Sequence, residues 1–178
     1  MSLAVPDSSA LVSLGVAADA NRDPLDDAAP DPLALFLTRY RVIVPPEVLT
    51  ELQDIASFED SHGRAATAVL DRRDAFTTRP VELDSTFPLD TGENAAVTLA
   101  NECDATLFLC DEFNQLGLVH ASLADTRLVT TPTLLSIFVR TDQLSASEAL
   151  TLLDEISDAR SWDENSYVRR ARSLFERR

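Results

Sequence analysis

Four carboxylates, Asp7, Glu51, Glu93 and Asp111, stand at positions where chemistry is done in a parallel α/β sheet. Asp7 closes the apolar stretch Leu3-Ala-Val-Pro, and Asp111 closes Ala105-Thr-Leu-Phe-Leu-Cys110. Glu51 falls beside Val48 and Leu52 on the helix that Pro45-Pro46 would open, nearer its apolar side than a solvated acid should lie. Glu93 falls in the first turn of a helix capped by Asp90 or Thr91, where exposed N–H groups favour an anion. Acidic side chains gathered at one polar spot among buried chain are suited to holding a divalent metal.

Each acid also has a plain structural role. Asp7, ahead of two serines, could cap a helix, and Asp111 could cap the next one. Glu51 and Glu93 could be ordinary helix acids. His62 and His120 have no partner at motif spacing, and Trp162 and Tyr167 read as packing anchors of the last helices.

The elements that must position the acids alternate along the chain. A strand at Leu3–Asp7 leads into a helix from Ser8 or Ser9, ending near Gly15. The Asp-, Ala- and Pro-rich stretch to Pro32 reads as a loop insertion over 19–32. A short helix at Leu33–Thr38, a strand at Arg41–Val44 and the helix after Pro46 follow. A break is expected at Gly63, then a helix at Arg64–Arg73 and a short strand at Val81–Leu83. After the Ala105–Cys110 strand, Asn114, Leu116 and Leu118 lie on the next helix. Arg127–Thr131 is the last strand, and Pro132 opens the helix Leu134–Val139. Ser145 and Glu148 have capping-box spacing, and a basic helix spans Asn165 to Phe175. Alternation of this kind predicts a three-layer α/β sandwich with a mostly parallel, five-stranded central sheet. Sites in such sheets form beyond the carboxyl ends of strands, where Asp7 and Asp111 fall.

Composition bounds the partners. The 178 residues fit one domain, 1–178, with a helical extension over 145–178. The net charge is −15, and all 15 basic residues are Arg. An ordinary nucleic-acid binder shows a basic patch, so the acidity speaks either against a polyanion or for adaptation to a salt-rich cell. Cys103 and Cys110 have no accompanying Cys or His cluster and fit a reducing cytoplasm. The N-terminal stretch has no basic region before its apolar run, and no apolar run reaches membrane-spanning length.

Residues 1–15, the Val44–Leu52 segment, the Asp90–Ala100 segment and Leu107-Phe-Leu-Cys-Asp111 together resemble the PIN-domain nucleases. The likeness is greatest to the compact prokaryotic branch that includes toxin ribonucleases of toxin–antitoxin pairs. It spans roughly residues 3 to 140, with the closing helices as a C-terminal cap. It implies a five-stranded PIN-like fold, Asp7, Glu51, Glu93 and Asp111 as the catalytic set, and Asp7, Glu93 and Asp111 as ligands of Mg²⁺ or Mn²⁺. These hard ions take oxygen donors and activate water for phosphodiester hydrolysis. Many relatives carry a second Glu on the helix where this chain has Ala95, so Glu93 would have to reach the metal from one turn earlier. Asn114 or Gln115 would supply the last polar position; Ser8 or Thr131 could orient a phosphate.

The resulting expectation is a cytoplasmic, metal-dependent endoribonuclease with RNA as substrate, a toxin with a small antitoxin partner. The alternative is a catalytically degenerate PIN-like module that binds protein or nucleic acid. A response-regulator-like phosphoacceptor would want a Lys near its last strand, and the chain has none. A homodimer is also expected, because helices 134–139 and 145–160 carry more apolar bulk than one sheet face can cover.

Overall fold

The computed structural model describes residues 1–18 and 30–177. Five strands, β1 (Ser2–Pro6), β2 (Tyr40–Val44), β3 (Phe76–Thr78), β4 (Leu107–Leu109) and β5 (Arg127–Val129), form one sheet in the order β3-β2-β1-β4-β5. All four pairings are parallel. β1 and β4 are buried along most or all of their length, as parallel strands covered on both faces must be. The sheet is therefore the five-stranded α/β arrangement expected from the alternation. Most of the expected loop insertion, residues 19–29, lies outside the described residues.

The helices are α1 (Ser8–Val16), α2 (Pro32–Arg39), α3 (Pro46–Ala56), α4 (Ser61–Leu70), α5 (Thr91–Glu102), α6 (Leu116–Ser122), α7 (Thr131–Arg140), α8 (Ala146–Arg160) and α9 (Ser166–Phe175). α5 packs on β1 and β4, while α1 packs chiefly on α4 and meets α7 and α8. The chain leaves β1 for β2 on one side and later returns to lay β4 on the other. That reversal opens a crevice between the carboxyl ends of β1 and β4. The register puts Pro6 opposite Leu109, so Asp7 and Asp111 emerge into that crevice.

α1 begins at Ser8, as expected, and Asp7 is its cap, its carboxylate accepting the Ala10 amide at 2.8 Å. Other local expectations change. Gly15 does not end α1. It lies inside the helix with no positive φ, and a Cβ there would stand 2.3 Å from the Ala65 carbonyl oxygen of α4. Gly63 does not break a helix either. Asp60 caps α4 through the Gly63 amide, and the glycine lets the turn press on the Phe58 carbonyl. Both glycines are present for close backbone approach, a need with no local signature.

The expected strand at Val81–Leu83 is instead β3, before Pro80. Phe76–Thr78 pairs with Val42–Val44, and the Arg79 amide donates to the Val44 carbonyl at 3.1 Å. Pro80 has no N–H to extend the edge. Three half-exposed or exposed residues on an edge carry little hydrophobic signal. Asn114 lies in the turn before α6, and Thr131 is the first residue of α7 rather than the end of a strand.

The capping box of Ser145 and Glu148 forms as its spacing predicts. Leu134, Leu135, Phe138, Leu152, Leu153 and Ile156 are all buried. α9 covers α7 and α8, burying Val168, Ala171 and Phe175 against them. The apolar surplus that motivates a homodimer is thus covered within the chain. Among the described residues no helix is long and apolar enough to cross a membrane.

The Gly15 contact has a measurable sign. Gly to Ala inside a helix normally stabilises by about 1 kcal/mol. At Gly15 the added methyl meets rigid backbone, so Gly15→Ala should instead destabilise by roughly 1–3 kcal/mol. Urea denaturation of the two proteins checks this, and a variant more stable than its parent would rule out the contact.

Candidate active site

The deepest layer of the crevice is built by Asp7 and Asp111, which are 3% and 4% exposed. The Asp7 amide donates to the Leu109 carbonyl at 2.9 Å, which ties the end of β1 to the end of β4. The Ser9 hydroxyl lies 2.8 and 2.9 Å from the two Asp7 oxygens, and the Ala10 amide adds a third donor. The same Ser9 oxygen accepts the Asp111 amide at 3.0 Å. Asp111 is held in turn by Thr131, through its amide and its hydroxyl, both at 2.7 Å. Ser9 and Thr131 therefore fix two acids that are 104 positions apart in sequence onto one scaffold. Thr131 spends both donors on Asp111, so its role here is to position that carboxylate.

A second layer has fewer donors. Glu51 on α3 accepts the Ser8 hydroxyl at 2.5 Å, and its carboxylate rests on the α-carbon of Gly92. A Cβ at Gly92 would meet the Glu51 carboxylate and displace it, so the glycine leaves room for that acid beside α5. Glu93, the next residue, is 6% exposed, and neither of its oxygens has a hydrogen-bond partner. Ala95, where a second helix acid would stand, is fully buried.

These environments push the acids toward their neutral forms. Burial raises Asp7 to about 7, against donation from Cys110, Ala10 and Ser9, and the Asp111 charge adds to the rise. Burial also raises Glu93 to about 7, reinforced by the charges of Asp90, Glu112 and Glu51 and opposed by the nearby backbone of Asp90. Glu51 is raised by burial and by Asp90, Glu112 and Asp54, with Ser8 opposing. Asp111 is raised by burial, opposed by Thr131, Ser13 and the Arg160 charge.

All four predicted acids thus reach the same end of the sheet, in two pairs rather than one cluster. Of the supporting candidates, Ser8 reaches Glu51 and Thr131 reaches Asp111. Asn114 is exposed and lines a cavity with Asp111. The sequence reading missed Ser9 as the bridge, Glu112 as a further acid of the site, and Arg160. Glu112 directly follows Asp111 and could have been noticed. Arg160, from the end of α8, lies over the Trp162 ring at 6.0 Å and lines that same cavity. Only the folding-back of α8 brings it there.

The donor set fits a hard divalent cation in kind, since it is all oxygen and Glu93 has two buried oxygens without partners. Its spacing is looser: among the described residues no three His, Cys, Asp or Glu side chains gather closely enough to hold one ion.

A family model described as DUF3368: PIN domain matches residues 29–177. The chain belongs to the PIN-domain family. The matched region runs through α8 and α9, and it starts after β1, so it holds Glu51, Glu93 and Asp111 but not Asp7. Asp7 enters through geometry, by its shared Ser9 contact with Asp111. No curated protein matches the chain. No solved structure matches it either.

The raised acids give this PIN domain a definite response to pH. Asp7 holds its proton up to about 7 when folded but releases it near its ordinary 3.8 when unfolded. Between those values the folded state binds more protons, so stability falls as pH rises. This contribution is complete below the unfolded value and is lost as pH passes the folded one. Metal-free protein should therefore melt at a lower temperature at about pH 8 than at about pH 5, by on the order of a few kcal/mol of stability from Asp7. Asp7→Asn should flatten the difference. A melting temperature that is level or rising over that interval would mean that Asp7 is not held as a buried acid.

Proposed function

We propose that this PIN domain is a metal-dependent endoribonuclease that hydrolyses RNA phosphodiester bonds. The observation that carries the reading is Glu93, a buried carboxylate with two unpartnered oxygens, set beside three more acids at the switch point of the sheet. Asp7, Glu93 and Asp111 are the residues that would hold Mg²⁺ or Mn²⁺, and the ion would have to draw Glu93 toward the Asp7–Asp111 pair, because the chain alone does not gather the three. When bound, such an ion polarises a phosphate oxygen and makes its water a stronger nucleophile. The chain's own part is positional. Ser9 and Thr131 lock Asp7 and Asp111 in orientation, so those two do not have to reorganise when charge develops. Glu93, whose oxygens have no hydrogen-bond partner, is the carboxylate with donor capacity left for such an ion.

Purified protein should cleave RNA with Mn²⁺ or Mg²⁺, assayed in molar KCl as well as dilute buffer, and EDTA should abolish cleavage. Asp7→Asn and Asp111→Asn should each lower the rate at least about a hundredfold, the usual order for loss of one electrostatic contact in a transition state. Cleavage that survives EDTA, or that is unchanged in both variants, would sink the mechanism.

One observation favours a second reading, a degenerate PIN module that binds without cutting. The acids fall short of a three-ligand cluster, and Ala95 leaves no second helix acid to complete it. Titration with Mn²⁺ at neutral pH separates the two. Saturable binding that Glu93→Gln removes supports the nuclease, and no binding at millimolar metal supports the module.

The toxin role, with a small antitoxin protein as partner, is the finer form of the first reading and rests on the resemblance of the acid set alone. Expression of the protein by itself should arrest growth, and Asp111→Asn should relieve the arrest. Unimpeded growth with the wild-type protein present at full level would reject the role.

A further inference from the structure

A cationic groove of this acidic chain lies away from the four acids. A groove of about 680 Å³ runs between α7 and α9 beside β5. Arg127, Arg140 and Arg170 line it, all three exposed, and no acidic residue is among its lining. Four other arginines pair with acids, Arg72 with Asp31, Arg79 with Glu102, Arg169 with Glu164 and Arg172 with Asp154, while the exposed Arg41 and Arg73 line no such groove. The three groove guanidinium groups have no side-chain hydrogen bond or ion pair among the described residues. Three unpaired arginines lining one groove make a local positive field on a chain of net charge −15, and such a field attracts an anionic ligand.

The groove is continuous with the acid site through aromatic rings. Phe113, two residues after Asp111, stands 5.0 Å from Trp162 and 5.4 Å from Tyr167. Phe113, Trp162 and Asn165 line the cavity that holds Asp111; Ser166 and Tyr167 begin the Arg-lined groove. Tyr167 is 41% exposed and Leu174 is 46% exposed, so the groove offers open ring and aliphatic surface between its cations. A flexible polyanion with flat apolar faces uses both kinds of surface: phosphates meet arginines and bases lie on the ring.

We propose that the α7–α9 groove is a single-stranded RNA track, in which Arg127, Arg140 and Arg170 take backbone phosphates and Tyr167 stacks a base on the strand leading to Asp111. The track rests on the nuclease reading for its substrate class. It adds residues that hold RNA without touching the reacting phosphate. It also reconciles the net charge with a polyanionic substrate, because binding needs a local field rather than a positive total.

The test is fluorescence anisotropy with a labelled single-stranded RNA about a dozen nucleotides long, in EDTA, so that nothing is cut, over a range of KCl. The exposed arginines can be changed without touching the core. The triple variant Arg127→Gln, Arg140→Gln, Arg170→Gln should bind at least about tenfold more weakly, and the slope of log affinity against log salt should fall by about 2, three phosphates at roughly 0.7 each. Tyr167→Ala should weaken binding about tenfold with the salt slope unchanged, as loss of one stacked base predicts. Arg73→Gln, at an exposed arginine outside the groove lining, should bind as the wild type does, which separates the track from the chain's overall charge. If the wild type does not cut RNA but the Arg and Tyr variants lose binding as stated, the nuclease reading fails and the track stands. If the variants keep wild-type affinity and slope, the track is overturned while the nuclease reading stands. If the triple variant keeps RNA affinity but loses a fluorescent Glu- and Leu-rich peptide that the wild type binds, the groove is a protein-docking surface and the proposal is overturned.

Discussion

Burying like charges at one end of a sheet is the constraint around which this molecule is arranged. Asp7 and Asp111 sit almost out of water, and the Asp111 charge adds to the burial that opposes ionisation of Asp7. The fold offsets this with fixed donors. Ser9, Ala10 and Thr131 supply amides and hydroxyls at 2.7–2.9 Å to the two carboxylates. These donors come from the first turns of α1 and α7, where unpaired N–H groups and the helix dipole favour negative charge. The capping role and the site role of Asp7 are thus not alternatives. The carboxylate that starts α1 is the one presented to the crevice, and the same donors do both jobs.

The glutamate layer is held differently. Glu51 has one hydroxyl donor, and Glu93 has none on its side chain, while Asp90 and Glu112 add repulsion. A buried carboxyl without partners costs free energy that the rest of the fold must carry. The close packing of α1 on α4, made possible by Gly15, and the apolar layer of α7, α8 and α9 supply that reserve. A group kept at such a cost in a crevice beside other acids is a functional candidate on physical grounds. A cation among these groups would relieve the repulsion and supply the missing partners at once.

What could be read in the sequence followed from the length and burial of each element. β1, β2 and β4 are continuous apolar runs with proline or acidic ends, so their places, and those of Asp7 and Asp111, were legible. The Ser145–Glu148 box and the Pro46 and Pro132 helix starts were legible because their chemistry is local. β3 was misplaced because a three-residue edge strand draws its stability from pairing with β2 and not from its own residues. Gly15 and Gly63 were misread because a glycine that permits close approach looks the same in sequence as one that ends a helix. Ser9 and Arg160 join the site through contacts across the fold, whereas Glu112 is adjacent to Asp111 and was readable. The apolar faces of α7 and α8 looked unpartnered because the amphipathic α9 that covers them comes later in the chain.

Net charge, by contrast, is an average that hides the arrangement deciding what can bind. A chain at −15 repels RNA at long range, and salt shortens that repulsion to within about 10 Å at moderate ionic strength. Inside that distance the local distribution governs. Most of the acids are spread over the surface, several holding arginines in exposed pairs that contribute little to stability. The α7–α9 groove concentrates unpaired arginines where no acid neutralises them, next to rings that lead to Asp111. The two ends of this path have opposite electrostatics, cationic where a strand would be gripped and anionic where a metal would be held. An acidic total is therefore compatible with a polyanionic substrate, provided that the cations are kept together and left free.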